Sequence, residues 1–268
     1  MSIEPAFLPG LCSVTFRSID AEQVIALAVE AGARGIEWCS TVHVPPGHLA
    51  TAMRIAAQCR DAGLDLPSYG TYVRAGADDE QQDMGAALDT AAALGAPNVR
   101  VWAGRQGSGV AGEADRARVA DAIRAYAALA AASGITLSIE YHRATLTDTL
   151  TSTLDLLRRI DHPNCYAYWQ PEPGTPLESA AAELRALGSD LSHLHVFHWQ
   201  AGGARRPLEE AEAYWRRLVR VPGRDSRFAL PRYAFSEFVR NDDPDQFRRD
   251  FKVLVRLLDP RIAERGDD

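Results

Sequence analysis

The sequence predicts an α/β protein, a single-domain (β/α)8 TIM barrel occupying residues 1–268. Three observations lead there. Short apolar runs alternate eight times with stretches of helical period. Glycines stand at Gly32, Gly63, Gly95, Gly134 and Gly188, each where a helix should stop and a strand soon follow. The length, 268 residues, is that of one such barrel, about 250 residues being typical. Strands joined through helices must run parallel, and eight such units close on themselves. A doubly wound open sheet is the runner-up, but it usually needs fewer strands and a phosphate loop, which is not found.

The strands are expected at 11–16, 35–39, 66–72, 98–103, 135–141, 164–169, 191–197 and 232–238. The helices between them are AEQVIALAVEAGA, LATAMRIAAQCRDAG, DMGAALDTAAALGA, ADRARVADAIRAYAALAAASG, TDTLTSTLDLLRRI, PLESAAAELRALG, LEEAEAYWRRLVRV and DPDQFRRDFKVLVRLL. Asp20 followed by Gln23 reads as a capping box that opens the first helix, satisfying two orphan amide donors reciprocally. Each of the five glycines can take the left-handed conformation that ends a helix without a Cβ penalty.

Composition excludes several function classes. With 29 basic and 36 acidic side chains the formal charge is −7, which argues against a protein built to grip nucleic acid or an anionic membrane. No run of about 18 apolar residues marks a membrane span. MSIEPAFLPG has neither a basic n-region nor an apolar h-region, so a cytoplasmic protein is expected. The four cysteines, Cys12, Cys39, Cys59 and Cys165, form no C-x-x-C and are read as reduced and mostly buried. Lys252 is the one lysine and sits in an amphipathic stretch, a poor place for the desolvated amine of Schiff-base catalysis.

In a barrel of this kind the reacting groups stand at the C-terminal ends of the strands. Strand alternation puts Thr136, Ser138, Glu140 and His142 on one face of the fifth strand, with Leu137, Ile139 and Tyr141 toward the helices. By the same parity Tyr166, Tyr168 and Gln170 point inward from the sixth strand, His193, His195 and Phe197 from the seventh, and Tyr233, Phe235 and Glu237 from the eighth. Four successive strands therefore end in Glu140, Gln170, His195 and Glu237. Two carboxylates, an imidazole and an amide oxygen suit a divalent cation with mixed hard and borderline ligands. Two glutamates left together without a cation would resist shared ionisation.

These residues resemble a family. SIEYH (138–142), HLHVFHW (193–199) and SEFV (236–239), with GIEW (35–38) and LGAPNVRVWAG (94–104), make the whole chain similar to the xylose-isomerase-like TIM barrels, the sugar phosphate isomerase/epimerase superfamily that also contains endonuclease IV-like proteins. The resemblance implies one divalent metal (Mn, Mg or Zn) held by Glu140, Gln170, His195 and Glu237, and a sugar or sugar-derived substrate. Gln170 departs from the family, which usually has Asp there. An amide oxygen can coordinate but carries no charge, so affinity should fall; Glu172 could substitute only if the loop curls back.

The implied chemistry is isomerisation or epimerisation beside a carbonyl, with Glu140 and Glu237 as the proton-transfer pair. Substrate contacts are expected from His142, from Trp102 and Arg105 after the fourth strand, from Tyr69 and His43 after the third and second, and from His198 beyond His195. Tyr72, Arg74 and Trp199 occupy comparable places, and Glu37 is either a rim acid or a buried partner. The glycines of VWAGRQGSG do not match the dinucleotide fingerprint, and a rim loop is the better reading. Two rivals stay open: a lyase or dehydratase on a polyol-derived ketone, and a sugar-binding barrel without activity. A repair endonuclease would need a multi-metal cluster with more His, Asp and Glu at strand ends. A homo-oligomer is compatible with the sequence.

Overall fold

The computed structural model describes residues 6–77, 83–223 and 226–259. Eight parallel strands close in sequence order, β1(Leu8–Cys12), β2(Gly35–Cys39), β3(Asp65–Arg74), β4(Asn98–Trp102), β5(Thr136–Glu140), β6(Cys165–Trp169), β7(Leu191–Val196) and β8(Tyr233–Ser236), with β1 also paired to β8. The helices on the outside are α1(Ala21–Ala31), α2(Leu49–Asp61), α3(Met84–Leu94), α4(Glu113–Ala132), α5(Leu150–Ile160), α6(Leu177–Leu187), α7(Glu212–Leu218) and α8(Pro244–Leu258). No helix among the described residues is long and apolar enough to cross a membrane.

Local chemistry sets the boundaries. The Asp20 side chain accepts from the Gln23 amide at 2.9 Å while Gln23 accepts from the Asp20 amide at 3.2 Å, the reciprocal cap expected of α1. The Thr149 side chain accepts from the Ser152 amide at the start of α5 and Asp243 from the Asp245 and Gln246 amides at the start of α8, one-way caps, and Pro244 follows Asp243 where a missing N–H costs nothing. All five punctuating glycines have positive φ, as at Gly32 (80°) and Gly95 (77°).

Two elements differ most from expectation. The first strand is Leu8–Cys12 rather than 11–16, and Ser13–Phe16 is a 3-10 turn whose four side chains are all buried. Burial of a continuous apolar run does not distinguish a strand from a turn folded over the barrel's end. Pro9 is tolerated near the start of β1, before pairing with β2 begins at Gly10, where the missing N–H breaks no ladder bond to that strand, and its carbonyl accepts from the Arg34 amide at 2.8 Å. The seventh helix is shorter than LEEAEAYWRRLVRV, a 3-10 turn over Leu208–Ala211 leading into the seven residues of α7.

The main core lies between strands and helices, where Ile36, Trp38, Val99, Val101, Leu137, Ile139, Leu194 and Val196 meet the helical faces. The barrel interior is separate. Tyr168, Tyr233 and Phe235 plug it with Cys12, Val14 and Cys39. Gly10 is required there, since an added Cβ would fall 2.5 Å from the Phe235 ring. Serines and Asn98 form a polar layer, Asn98 donating to Ser138 Oγ (2.8 Å) and Ser138 to Ser192 Oγ (2.9 Å). Strand alternation thus delivers polar groups to the centre and carries them upward to the mouth.

Candidate active site

A cleft of about 260 Å³ opens at the C-terminal ends of the strands. Glu140, Gln170 and Glu237 line it and His195 lies buried at its floor, so the four candidate ligands are brought together. His195 Nδ1 is 3.0 Å from Gln170 Oε1, 3.5 Å from Glu237 Oε2 and 3.6 Å from Glu140 Oε1. Gln170 Nε2 donates to Glu140 Oε1 at 3.1 Å, so its amide bridges the imidazole and the carboxylate.

Beneath this ring lies an ion network that the strand-end reading missed. Arg100, pointing inward from β4, donates to Glu37 Oε1 (Nη2, 3.0 Å) and, through Nη1, to Glu140 Oε2. The arginine and both glutamates are almost wholly buried. Ser68 Oγ also donates to Glu37 Oε2 at 2.9 Å, and Trp102 Nε1 donates to Glu140 Oε2. Room for the network is made by Gly70, where a Cβ would lie 2.5 Å from Arg100 Nη2 and 2.7 Å from Glu37 Oε1. The signal was present in the sequence: in NVRVW, Val99 and Val101 face the helices, so Asn98, Arg100 and Trp102 must face in.

Two observations show that these residues fit a divalent cation. His195 Nε2 stands 3.3 Å from Glu37 Oε1. A carboxylate at that nitrogen fixes the ring proton on Nε2 and leaves the Nδ1 lone pair toward the three oxygens, the arrangement by which a carboxylate orients a metal-binding histidine. Charge gives the second. Glu37, Glu140 and Glu237 against Arg100 leave two negative charges at the floor, which one divalent ion balances with His195 neutral. Burial opposes charge on His195, but Glu237, Glu140 and Glu37 outweigh it and raise its pKa to about 10. Burial together with Glu140 and Glu37 raises Glu237 to about 7. Burial pushes Glu140 the same way, yet Arg100 and His195 hold it at about 2.

Among the described residues, Cys12, His195 and Glu237 form a second donor set, with one potential ligand atom from each lying within 4.8 Å of the others. Cys12 Sγ donates to Glu37 Oε1 at 3.2 Å. Burial and the carboxylates Glu37 and Glu237 push its thiol pKa well up, so it serves as a neutral donor rather than a thiolate.

The other candidate contacts divide. Trp102 and His142 line the cleft, their rings stacked 4.3 Å apart, with the Arg74 guanidinium 3.9 Å from the centre of the Trp102 ring. Four candidates lie elsewhere. Tyr69 faces the helices and donates to the Val44 carbonyl at 2.6 Å, because parity in β3 turns Ser68 and Gly70 inward. His43 is buried against Trp38, bridging Ser13 Oγ and the Ile19 carbonyl at 3.2 Å each. His198 Nδ1 lies 3.1 Å from the Pro207 carbonyl, and Arg105 lines a separate rim pocket with Gly76, Asp115 and Arg118. Arg17, Tyr72, Arg205 and Phe238 also line the cleft wall. Arg17, Arg205 and Phe238 come from loops, whose side chains no alternation rule places.

Known proteins share this architecture. A curated 3-dehydroshikimate dehydratase of Bacillus anthracis is 29% identical over 164 residues, 58% of each chain. The chain thus spans less than two thirds of that relative's length. Among solved structures, the probable 3-DHS dehydratase AsbF of Bacillus anthracis superposes with TM-score 0.72 at 23% identity over 93% of this chain and 99% of that one. A xylose isomerase-like TIM barrel protein of Mycobacterium smegmatis in complex with magnesium gives TM-score 0.71 at 16% identity over 97% and 100%. A D-allulose 3-epimerase of Methylomonas sp. gives 0.69 at 16% identity over 96% and 100%. At these identities the superpositions show a common fold. Residues 25–220 match the model of one family, and the chain belongs to it: the xylose isomerase-like TIM barrels.

Proposed function

We propose that this protein is a metal-dependent enzyme that takes a proton from carbon beside the carbonyl of a hydroxylated, sugar-derived substrate and returns it, as an isomerase or epimerase. The observation that carries the reading is the placing of two carboxylates around one imidazole nitrogen, Glu140 Oε1 at 3.6 Å and Glu237 Oε2 at 3.5 Å from His195 Nδ1, at the floor of an open cleft. Glu140, Gln170, His195 and Glu237 would hold the cation. When bound, a divalent ion polarises a carbonyl and stabilises the negative charge that develops on its oxygen.

The chain's own groups divide the remaining work. Glu140 has Arg100 and Trp102 on Oε2 and Gln170 on Oε1, so it is held as an anion in one orientation. Glu237 is the group that removes the proton, since a carboxylate fully engaged by donors is a weak base; return by Glu237 to the neighbouring carbon gives the isomer, and an epimer requires Glu140 to serve the opposite face. His142, stacked on Trp102, presents a ring to substrate hydroxyls from the wall. Phe197 and Phe238 line the same cleft and reduce water's access.

A second reading is favoured by the sequence match to a dehydratase: the same abstraction followed by loss of a hydroxyl from the next carbon. One experiment separates the two. Manganese-loaded protein is incubated in D₂O with a panel of ketoses and hydroxy keto acids, followed by proton NMR and ultraviolet absorbance. Deuterium entering beside the carbonyl with a new stereoisomer supports the isomerase or epimerase. A conjugated chromophore with water lost supports the dehydratase. Transfer between carbons with no solvent exchange would fit a hydride shift and remove the carboxylate base.

A further inference from the structure

We infer that the substrate carries an oxyanion, a carboxylate or a phosphate, and that Arg17 and Arg205 receive it over the ring of Phe238. This deepens the reading of the cleft given above and rests on it. The two guanidinium carbons lie 5.1 and 4.6 Å from the centre of the same ring, and Arg205 also lies 5.2 Å from the Trp199 ring. Guanidinium groups resting on aromatic faces keep their edges free to offer fork-shaped donors, which match the two oxygens of a carboxylate or phosphate. A neutral hydroxyl has no use for two such forks.

The arginines are aimed rather than loose. Arg205 is held through Nη1 by Asp242 and by the Val239 carbonyl at 3.4 Å, and Arg17 bonds the Tyr72 side chain. Phe238 has φ 52°, a left-handed conformation rare for a bulky residue, and its amide donates to Thr15 Oγ1 at 3.0 Å. That conformation sets the ring into the wall immediately after Glu237, so the anion subsite and the reacting carboxylate are consecutive residues.

Charge is also distributed along the cleft. Its floor carries the surplus of carboxylates, while Arg17 and Arg205 enter from the loops after β1 and β7. The acids of the wall, Asp148 and Glu172, come from the loops after β5 and β6, where Arg143 stands with them. With the floor's charge balanced by the ion, an anionic tail is drawn to the side of the mouth where Arg17 and Arg205 stand. This fixes which end of the substrate reaches Glu237 and supplies selectivity that the cation alone cannot.

The test uses three aldoses that differ at C6: glucose, glucuronate and glucose 6-phosphate, titrated into manganese-loaded protein by calorimetry. At least one anion is expected to bind tenfold or more tightly than glucose, and which one identifies the group. Arg17→Gln and Arg205→Gln should each remove most of that preference, and Arg17→Lys should retain part of it. Absence of any preference for an anion, or a preference that survives both glutamine variants, overturns the proposal. Repeating the titration on metal-free protein separates this from the reaction: no deuterium exchange is expected there, while the anion preference, and its loss in the glutamine variants, should remain. Failure of the proton-transfer reading would thus leave the subsite standing.

Discussion

Replacing Gln170 by aspartate adds a formal charge to a ring in which two carboxylates, an amide and an imidazole surround one point. Manganese affinity measured by calorimetry is expected to rise at least about tenfold, or roughly 1.4 kcal/mol. Equal affinity in the two proteins would mean that Gln170 faces away from the ion. Arg100 behaves differently. It is a buried cation shared by Glu37 and Glu140, so Arg100→Met strands two buried carboxylates, and about 3–5 kcal/mol of stability should be lost in urea denaturation. A loss below about 1 kcal/mol would show that water or protonation satisfies the glutamates. Gly70→Ala should weaken the same network, because its methyl group would occupy the space taken by Arg100 Nη2 and Glu37 Oε1. Overpacking of this kind costs about 1–3 kcal/mol, again read by denaturation.

Helices and strands carry their own tests. Glu183 on α6 accepts from Trp169 Nε1 at 3.0 Å at the end of β6, and its pKa is raised by burial. A raised carboxyl pKa means that the folded protein favours the protonated form. Stability from this group is therefore present at acid pH and lost as pH rises through the raised value. Glu183→Gln keeps an acceptor for the indole and removes the charge, so its melting temperature should exceed that of the wild type at pH 7 and converge with it near pH 4. Glu183→Leu orphans the Trp169 N–H and should cost about 1–3 kcal/mol at either pH. Strand parity was the most legible feature at this scale. It placed Glu140, Gln170, His195 and Glu237 together because each stands within one residue of a strand's C-terminal end. The same parity, applied to NVRVW, would have found Arg100. What it could not reach were residues beyond the strands. Ser13–Phe16 read as strand because a buried turn and a buried strand share an apolar run, and His43, Arg105 and His198 sit in loops whose direction is set by tertiary contacts such as the Ile19 and Pro207 carbonyls. Tyr69 is a different case: it lies within the expected strand, and parity alone turns it to the helix side, where it donates to the Val44 carbonyl.

For the molecule as a whole, the closed barrel separates stability from chemistry. Apolar packing between strands and helices holds the ring, while the interior carries an aromatic plug, a polar serine layer and the ionised network. The fold was readable from eightfold alternation with glycine stops and no phosphate loop, which favours closure into a barrel over a doubly wound open sheet. The direct test of the account is a crystal of the manganese-soaked protein measured at the manganese absorption edge. One anomalous peak is expected, with Glu140, Gln170, His195 Nδ1 and Glu237 as ligands at about 2.0–2.5 Å. A peak ligated by Cys12 in place of Glu140 and Gln170, or no peak at saturating manganese, would contradict it.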